Sequence, residues 1–275
     1  MIIVLARSGQ MCNQLMTLCA AYALGLRYKE DVKCPIVDEK LKEYFCFDSG
    51  PSPIRIELYN TSWLYWTIRA VNCVLNRLRL RDFVFGRMYK YNPRKHGKSQ
   101  FLMDAMWHKE DSAIIENLAE CQRFFAFKPE IKARNAAYIA EAHKGVEKLI
   151  AVHARRGDYR QFQGGRYYFP DEELAKFMKN LSSDERSVRF VLFSNEKIDL
   201  ANYHNLGLDV IQSDGSAVDD LCRMSLCDYV MGPPSTFAWW AMVMGHIPRL
   251  VLKKNCKICG LHDFKLFENC SYIRG

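Results

Sequence analysis

The polarity pattern along the chain alternates between short apolar, β-branched runs and longer segments whose apolar residues recur every three or four positions. Residues 2–6 suit a buried strand, and 13–27 then predict a helix with Leu15, Leu18, Cys19, Tyr22 and Leu26 on one face. Helical spacing returns over 62–80, 111–121 and 129–143, the last with Pro129 in a first turn. The polar stretch 141–148 reads as a boundary. Beyond it, strands are expected at 149–154, 188–193, 209–211, 229–231 and 250–252, with helices at 170–181, 217–226 and 237–244. Strands separated by helices imply right-handed βαβ units and parallel sheets. The expected fold is α/β, with two Rossmann-like domains, 1–146 and 147–275, facing across a cleft and binding ligands at the carboxyl ends of their strands.

Composition narrows the class. With 49% hydrophobic residues the chain can bury a real core, and no apolar run approaches the roughly 20 residues of a spanning helix. Residues 8–26 carry no charge and follow Arg7, as in a signal sequence, but Ser8, Gly9, Gln10, Asn13 and Gln14 put polar groups where the apolar run would lie. The 11 cysteines follow no disulfide framework and read as reduced thiols in the cytoplasm. Cys256, Cys259, His262 and Cys270 could bind zinc if all four converged, but a single CxxC favours a plain tail that contains thiols.

Most of the net charge of +8 lies in the N-terminal half, where residues 1–148 hold 23 Lys/Arg against 16 Asp/Glu. Residues 69–98 alone hold Arg69, Arg77, Arg79, Arg81, Arg87, Lys90, Arg94, Lys95 and Lys98 against Asp82. Just before and within this run, Trp63, Trp66, Ala70, Val74 and Leu78 follow helical spacing. Over 63–98 the pattern fits a helix lying on an anionic membrane, and equally a core helix followed by a solvated basic loop. The first reading places the protein peripherally on the inner face of the plasma membrane. No recognised nucleic-acid motif accompanies the basic run and the C-terminal half is nearly neutral, so nucleic acid is not an expected partner.

Three segments carry candidate chemistry. In the first, an apolar strand ends in His153-Ala154-Arg155-Arg156-Gly157-Asp158, concentrating charge at the edge where such sheets bind ligands. Strand alternation sends the two arginines to opposite sides, so one can fork onto a diphosphate while Asp158 holds the other. In the second, Gly232-Pro233-Pro234-Ser235-Thr236-Phe237 leads from a strand into an apolar helix. Ser235 or Thr236 is the expected N-cap, and the amides beyond it form a phosphate seat. Trp239 and Trp240 read as packing. In the third, Gly9 permits a tight turn before Asn13 and Gln14, with Asn13 at or near a helix start.

In this order the segments resemble the α-1,2-fucosyltransferase family and its relatives, the α-1,6- and protein O-fucosyltransferases. The family pattern is Gly-Asn-Gln, then His-x-Arg-Arg-x-Asp, then Ser-Thr-Phe-x-Trp-Trp. Here the matching residues are Cys12-Asn13-Gln14, His153 to Asp158, and Ser235-Thr236-Phe237-Ala238-Trp239-Trp240. The run 189–196, ending in Asn195-Glu196, is similar to a Phe-Ser-Asp-Asp run of relatives, and Cys222 to Cys227 fits as well. Cys12 in place of glycine and Pro233-Pro234 before Ser235 depart from the pattern, and bear on acceptor and linkage more than on donor.

The resemblance implies a GT-B type glycosyltransferase with its acceptor on the N-terminal domain and its GDP-sugar on the C-terminal one. It implies inverting transfer of fucose from GDP-fucose, without metal or other cofactor, to a hydroxyl of a free or lipid-linked glycan. The linkage would be α-1,2 and the setting bacterial surface polysaccharide synthesis. No Asp-x-Asp occurs in the chain, so Arg155 and the Ser235/Thr236 helix start would take the place of a cation at the diphosphate. His153 would contact the nucleotide, and Asp158 would orient an arginine. Arg156, Asn13, Gln14, Asn195, Asp214 and Phe237 complete the expected binding set, and Asp158, Glu196 and Asp214 are the candidate bases. A noncatalytic nucleotide- or sugar-binding protein, or a transferase of a different GDP-sugar, would use the same features.

Overall fold

In a computed structural model of the chain, the described residues are 1–7, 9–48, 50–85, 91–102, 111–184, 187–254, 256–257 and 260–269. They form two compact units, Met1–Lys128 and Pro129–Gly275. The division falls earlier than the polar stretch 141–148 suggests, because the helix preceding that stretch packs on elements that follow it.

The first unit is built on β1 (Ile2–Val4), α1 (Met11–Tyr28), β2 (Val32–Cys34), α2 (Lys40–Tyr44), β3 (Ile56–Leu58), α3 (Ser62–Arg77), α4 (Arg81–Phe85), β4 (Gln100–Leu102), α5 (Asp111–Glu116) and α6 (Leu118–Phe124). Its four strands are parallel in the order β3-β2-β1-β4. Helix α1 is buried almost all round from Cys12 to Leu26, not on one face alone, because it runs between the sheet and α5. It approaches β2 so closely that a Cβ on Gly25 would lie 2.6 Å from a Val32 methyl. The helix expected over 111–121 is divided at Asn117, whose side chain donates back to the Ala113 carbonyl at 2.9 Å. The segment expected as one helix over 62–80 ends at Arg77, followed by Arg79 at a left-handed φ of 57°.

The second unit comprises α7 (Pro129–Ala142), β5 (Lys148–His153), α8 (Asp171–Asp184), β6 (Val188–Phe193), α9 (Ala201–His204), β7 (Val210–Gln212), α10 (Ala217–Ser225), β8 (Tyr229–Gly232), α11 (Thr236–Gly245) and β9 (Arg249–Val251). All five strands are parallel in the order β7-β6-β5-β8-β9. The apolar run Leu149 to Val152 is wholly buried, as befits a central strand covered on both faces. Trp239 and Trp240 are core residues of α11, as their spacing implies.

Candidate functional site

Strand β5 pairs with β6 on one side and β8 on the other, so connections leave it in opposite directions along the sheet. The carboxyl ends of β5 and β8 therefore flank the switch point where doubly wound sheets bind ligands. Two of the three sequence segments meet here.

His153, the last residue of β5, is 5% exposed and stacks on Phe237 of α11, with ring centroids 5.4 Å apart and planes inclined by 25°. The end of β8 is Gly232, where a Cβ would lie 2.9 Å from both Cβ and the carbonyl oxygen of His153. Burial, with Arg155 and Arg249 nearby, lowers the His153 pKa to about 3, which leaves a neutral imidazole whose buried Nδ1 has no hydrogen-bond partner. After Gly232 the prolines are tied down: the Tyr159 hydroxyl donates to the Pro234 carbonyl at 3.4 Å and an Arg249 Nη2 to that of Pro233 at 3.4 Å. Ser235 is the N-cap, its Oγ accepting from the Phe237 amide at 3.1 Å, and Thr236 begins the helix. The start of α11 thus lies beside His153 through the Phe237 ring, with the Phe237 amide taken by the Ser235 cap.

The adjacent arginines divide their work differently from the sequence expectation. Asp158 holds Arg155, not its neighbour: Nε donates to Oδ1 at 3.2 Å and Nη2 to Oδ2 at 3.4 Å, and the guanidinium covers the Tyr159 ring. Arg155 stays partly exposed. Arg156 is 3% exposed, bonded to the Phe169 carbonyl and the Asp171 carboxylate, and laid over Tyr168. These internal partners offset the cost of burying its charge.

Asn195 clamps this turn from β6: its Oδ1 accepts from the Arg156 amide at 3.1 Å, and its Nδ2 lies where a Gly157 side chain would go. Gly157 has a left-handed φ of 58°, and its amide donates to Glu196 Oε1 at 3.1 Å. Glu196 also binds both Nη atoms of Arg160, which lowers its pKa. Asn195 and Glu196 continue into a cavity of about 960 Å³ at the ends of β6 and β7, walled by Ile198, Gln212, Ser213 and Asp214 as well. Asp214 stands at its exposed rim, paired with Arg223 at 2.8 Å, and that partner lowers its pKa.

A half-buried carboxyl below this rim, Asp220, escaped the sequence reading. Burial raises the pKa of Asp220 to about 6 against the lowering effect of the Ser213 hydroxyl, which donates to it at 2.6 Å. Arg223 joins Ser213, Asp214 and Asn135 of α7, and lies 3.7 Å from the centre of the Tyr138 ring. The available signal was the Ser216 cap of α10, which fixes the helix phase that turns Val218 and Leu221 inward. Asn135 gave none, since its side-chain partners Asp219 and Arg223 lie 84 and 88 residues away.

Within the first unit, Gly9 has a left-handed φ of 66° and packs on Asn13, where a Cβ would meet Nδ2 at 2.1 Å. The helix begins at Met11 after Gln10, so Asn13 lies in its first turn, near the helix start. Gln14 is 8% exposed and its buried Oε1 has no hydrogen-bond partner. Of the zinc candidates, Cys259 and Cys270 lie outside the described residues. Among the described residues no three His, Cys, Asp or Glu side chains converge in a metal-binding group.

A family model described as glycosyl transferase family 11 matches residues 119–248, just under half of the chain. No curated protein matches the sequence. Among solved structures, fucosyltransferase NodZ from Bradyrhizobium aligns at a TM-score of 0.61 and 16% identity, covering 90% of this chain and 94% of that one. A variant of Arabidopsis thaliana FUT1 in complex with GDP aligns at 0.58 and 12% identity, covering 91% and 70%. POFUT1 in complex with GDP aligns at 0.56 and 10% identity, covering 91% and 98%. These likenesses show a shared fold. Over the residues that hold His153, Arg155 and the Ser235 cap, the chain is similar to glycosyl transferase family 11, in agreement with the fucosyltransferase family that its motifs resemble.

Proposed function

We propose that this protein transfers fucose from GDP-fucose to a hydroxyl of a glycan acceptor, with the donor held by the C-terminal unit. The observation that carries the reading is the junction of the His153–Phe237 stack, the tethered Arg155 and the capped start of α11 at one switch point. NodZ has been soaked with GDP-fucose and is described as an α-1,6-fucosyltransferase, which supports the same donor here.

In the proposed step an acceptor oxygen bonds to the anomeric carbon of fucose, the bond from that carbon to the β-phosphate oxygen breaks with its electron pair, and GDP leaves. Negative charge grows on the diphosphate. Arg155, whose fork is preset by Asp158, and the amides at the start of α11 are the groups suited to receive it. Neutral His153 adds no charge beside the nucleotide and holds Phe237 at the start of α11. The acceptor proton needs a base, and the candidate carboxylates differ little. Glu196 and Asp214 are held by arginines that make them weaker proton acceptors, and Asp158 is engaged with Arg155.

The motif resemblance favours inversion, an α-1,2 linkage and a bacterial surface polysaccharide as acceptor, with the first unit taking the acceptor side. Incubation with labelled GDP-fucose and a panel of galactose-ended and lipid-linked glycans, with EDTA present, tests the reading. Labelled product, with its linkage and anomeric configuration read by NMR, is the expected outcome. Nucleotide binding without transfer to any acceptor would favour a binding protein, and label transfer only from another GDP-sugar would change the donor.

A further inference from the structure

Helix α3 has no buried residue along its length. Its inner side is Leu64, Tyr65, Ile68, Asn72 and Leu75, all partly covered. Its outer side carries Trp63 at 71% exposure, Trp66 at 60% and Val74 at 57%, with Ala70 between them. The stripe continues past the helix end through Leu78, Leu80 and the 88% exposed Phe83 of α4. Spacings of three and four residues put the α3 members of this stripe on one face, so it is a continuous apolar surface rather than scattered side chains. A soluble helix pointing two tryptophans and a valine outward, with its polar residues to the side, has the inverse of the usual surface pattern.

Charge selects the partner. Residues 62–81 contain Arg69, Arg77, Arg79 and Arg81 and no acidic residue. Arg69 lies over the Trp66 ring, 5.3 Å from its centre, and donates to the Tyr65 hydroxyl at 3.3 Å. Among the described residues no carboxylate forms an ion pair with Arg69, Arg77 or Arg79. Tryptophans that sit at the depth of lipid headgroups, an apolar stripe about a helix long, and flanking guanidiniums are the combination that binds an anionic bilayer surface. The 16-residue α3 cannot span a bilayer, and no helix among the described residues is long and apolar enough to cross one.

We infer that the outer face of α3, continued by Leu80 and Phe83, docks the protein on an anionic lipid surface. The helix lies in the interface plane, with Trp63, Trp66 and Val74 entering the headgroup boundary and Arg69, Arg77 and Arg79 meeting lipid phosphates. This inference does not depend on which sugar the enzyme transfers. It would keep the active unit near an acceptor anchored in that surface.

Cosedimentation of the full chain with vesicles at low salt tests it. One set is pure phosphatidylcholine and the other contains one third phosphatidylglycerol. The wild-type chain is expected to bind the second set and not the first. Neutralising Arg69, Arg77 and Arg79 together with glutamine should lower that binding about a hundredfold, at roughly fivefold per basic residue. Trp63→Ser with Trp66→Ser should abolish it, while GDP binding and melting temperature remain those of the wild type. Tryptophan fluorescence of the wild type should shift to the blue on binding. The inference is overturned if the wild type binds neither set, if both sets bind alike, or if the double tryptophan variant still binds. A lipid-free dimer that the double variant dissociates would overturn it too, by assigning the face to a second copy.

Discussion

The imidazole of His153 lies flat against the ring of Phe237, centroids 5.4 Å apart, and so joins the end of β5 to the start of α11. The two residues are distant in sequence and meet because β5 and β8 are neighbours in the sheet and Gly232 leaves no side chain between them. Gly232→Ala should therefore disturb the donor site from a position that needs no ligand contact. A methyl 2.9 Å from His153 overpacks the junction. The expected cost is about 1–3 kcal/mol in stability with weaker GDP binding, measured by chemical denaturation and calorimetry. Unchanged values for both would show that the junction is looser than described.

Adjacent arginines should fail in different ways. Arg155 is partly exposed and held by an exposed carboxylate, so Arg155→Ala should leave stability within about 1 kcal/mol of wild type. If Arg155 meets the diphosphate, the same change should lower transfer by about 100- to 1000-fold, and Arg155→Lys should restore little, since an ammonium cannot fork. Arg156→Ala should instead destabilise the fold by about 3–5 kcal/mol by leaving Asp171 and the Phe169 carbonyl without their buried partner. Equal stability losses in the two alanine variants would contradict this division.

The sheet of the C-terminal unit was legible because its central strands β5, β6 and β8 are largely buried, mainly apolar runs, and the Ser235 cap is a local signal read directly. The strands Val32–Cys34, Ile56–Leu58 and Gln100–Leu102 were not, since three residues carry no measurable period and their order comes from tertiary pairing, β2 and β4 with β1 and β3 with β2. In the site, His153-x-Arg155-Arg156 was visible but not the sharing of partners. Asp171, which takes Arg156 from Asp158, comes from the start of α8, a tertiary choice with no local trace.

His153 should leave a mark on acid stability. Its folded pKa, about 3, lies below the ordinary value of 6.5. The unfolded chain therefore binds the proton first as pH falls. The stability held by the neutral buried ring is fully present above about pH 6.5 and is lost progressively toward pH 3, at up to about 1.4 kcal/mol per pH unit. A His153→Gln variant should show a shallower decline between pH 6.5 and 4 in urea denaturation. Parallel slopes for the two proteins would mean that the imidazole charges in place.

Asp220 has the opposite sign. Its folded pKa, about 6, exceeds the ordinary 3.8, so the folded protein holds this proton more tightly, and the stability it gives is present at low pH and lost as pH rises through 6. Asp220→Asn should gain on the wild type in melting temperature between pH 5 and 7. A pH-independent difference would contradict a half-buried carboxyl that titrates near 6.

Calorimetric titration of the full chain with GDP-fucose, GDP and ADP decides whether the protein holds a GDP-sugar. GDP-fucose and GDP are expected to bind and ADP is not, binding should persist in EDTA, and Arg155→Ala should weaken GDP by tenfold or more, about 1.4 kcal/mol. Failure of GDP to bind, equal binding of ADP, or wild-type GDP affinity in the Arg155→Ala variant would contradict it.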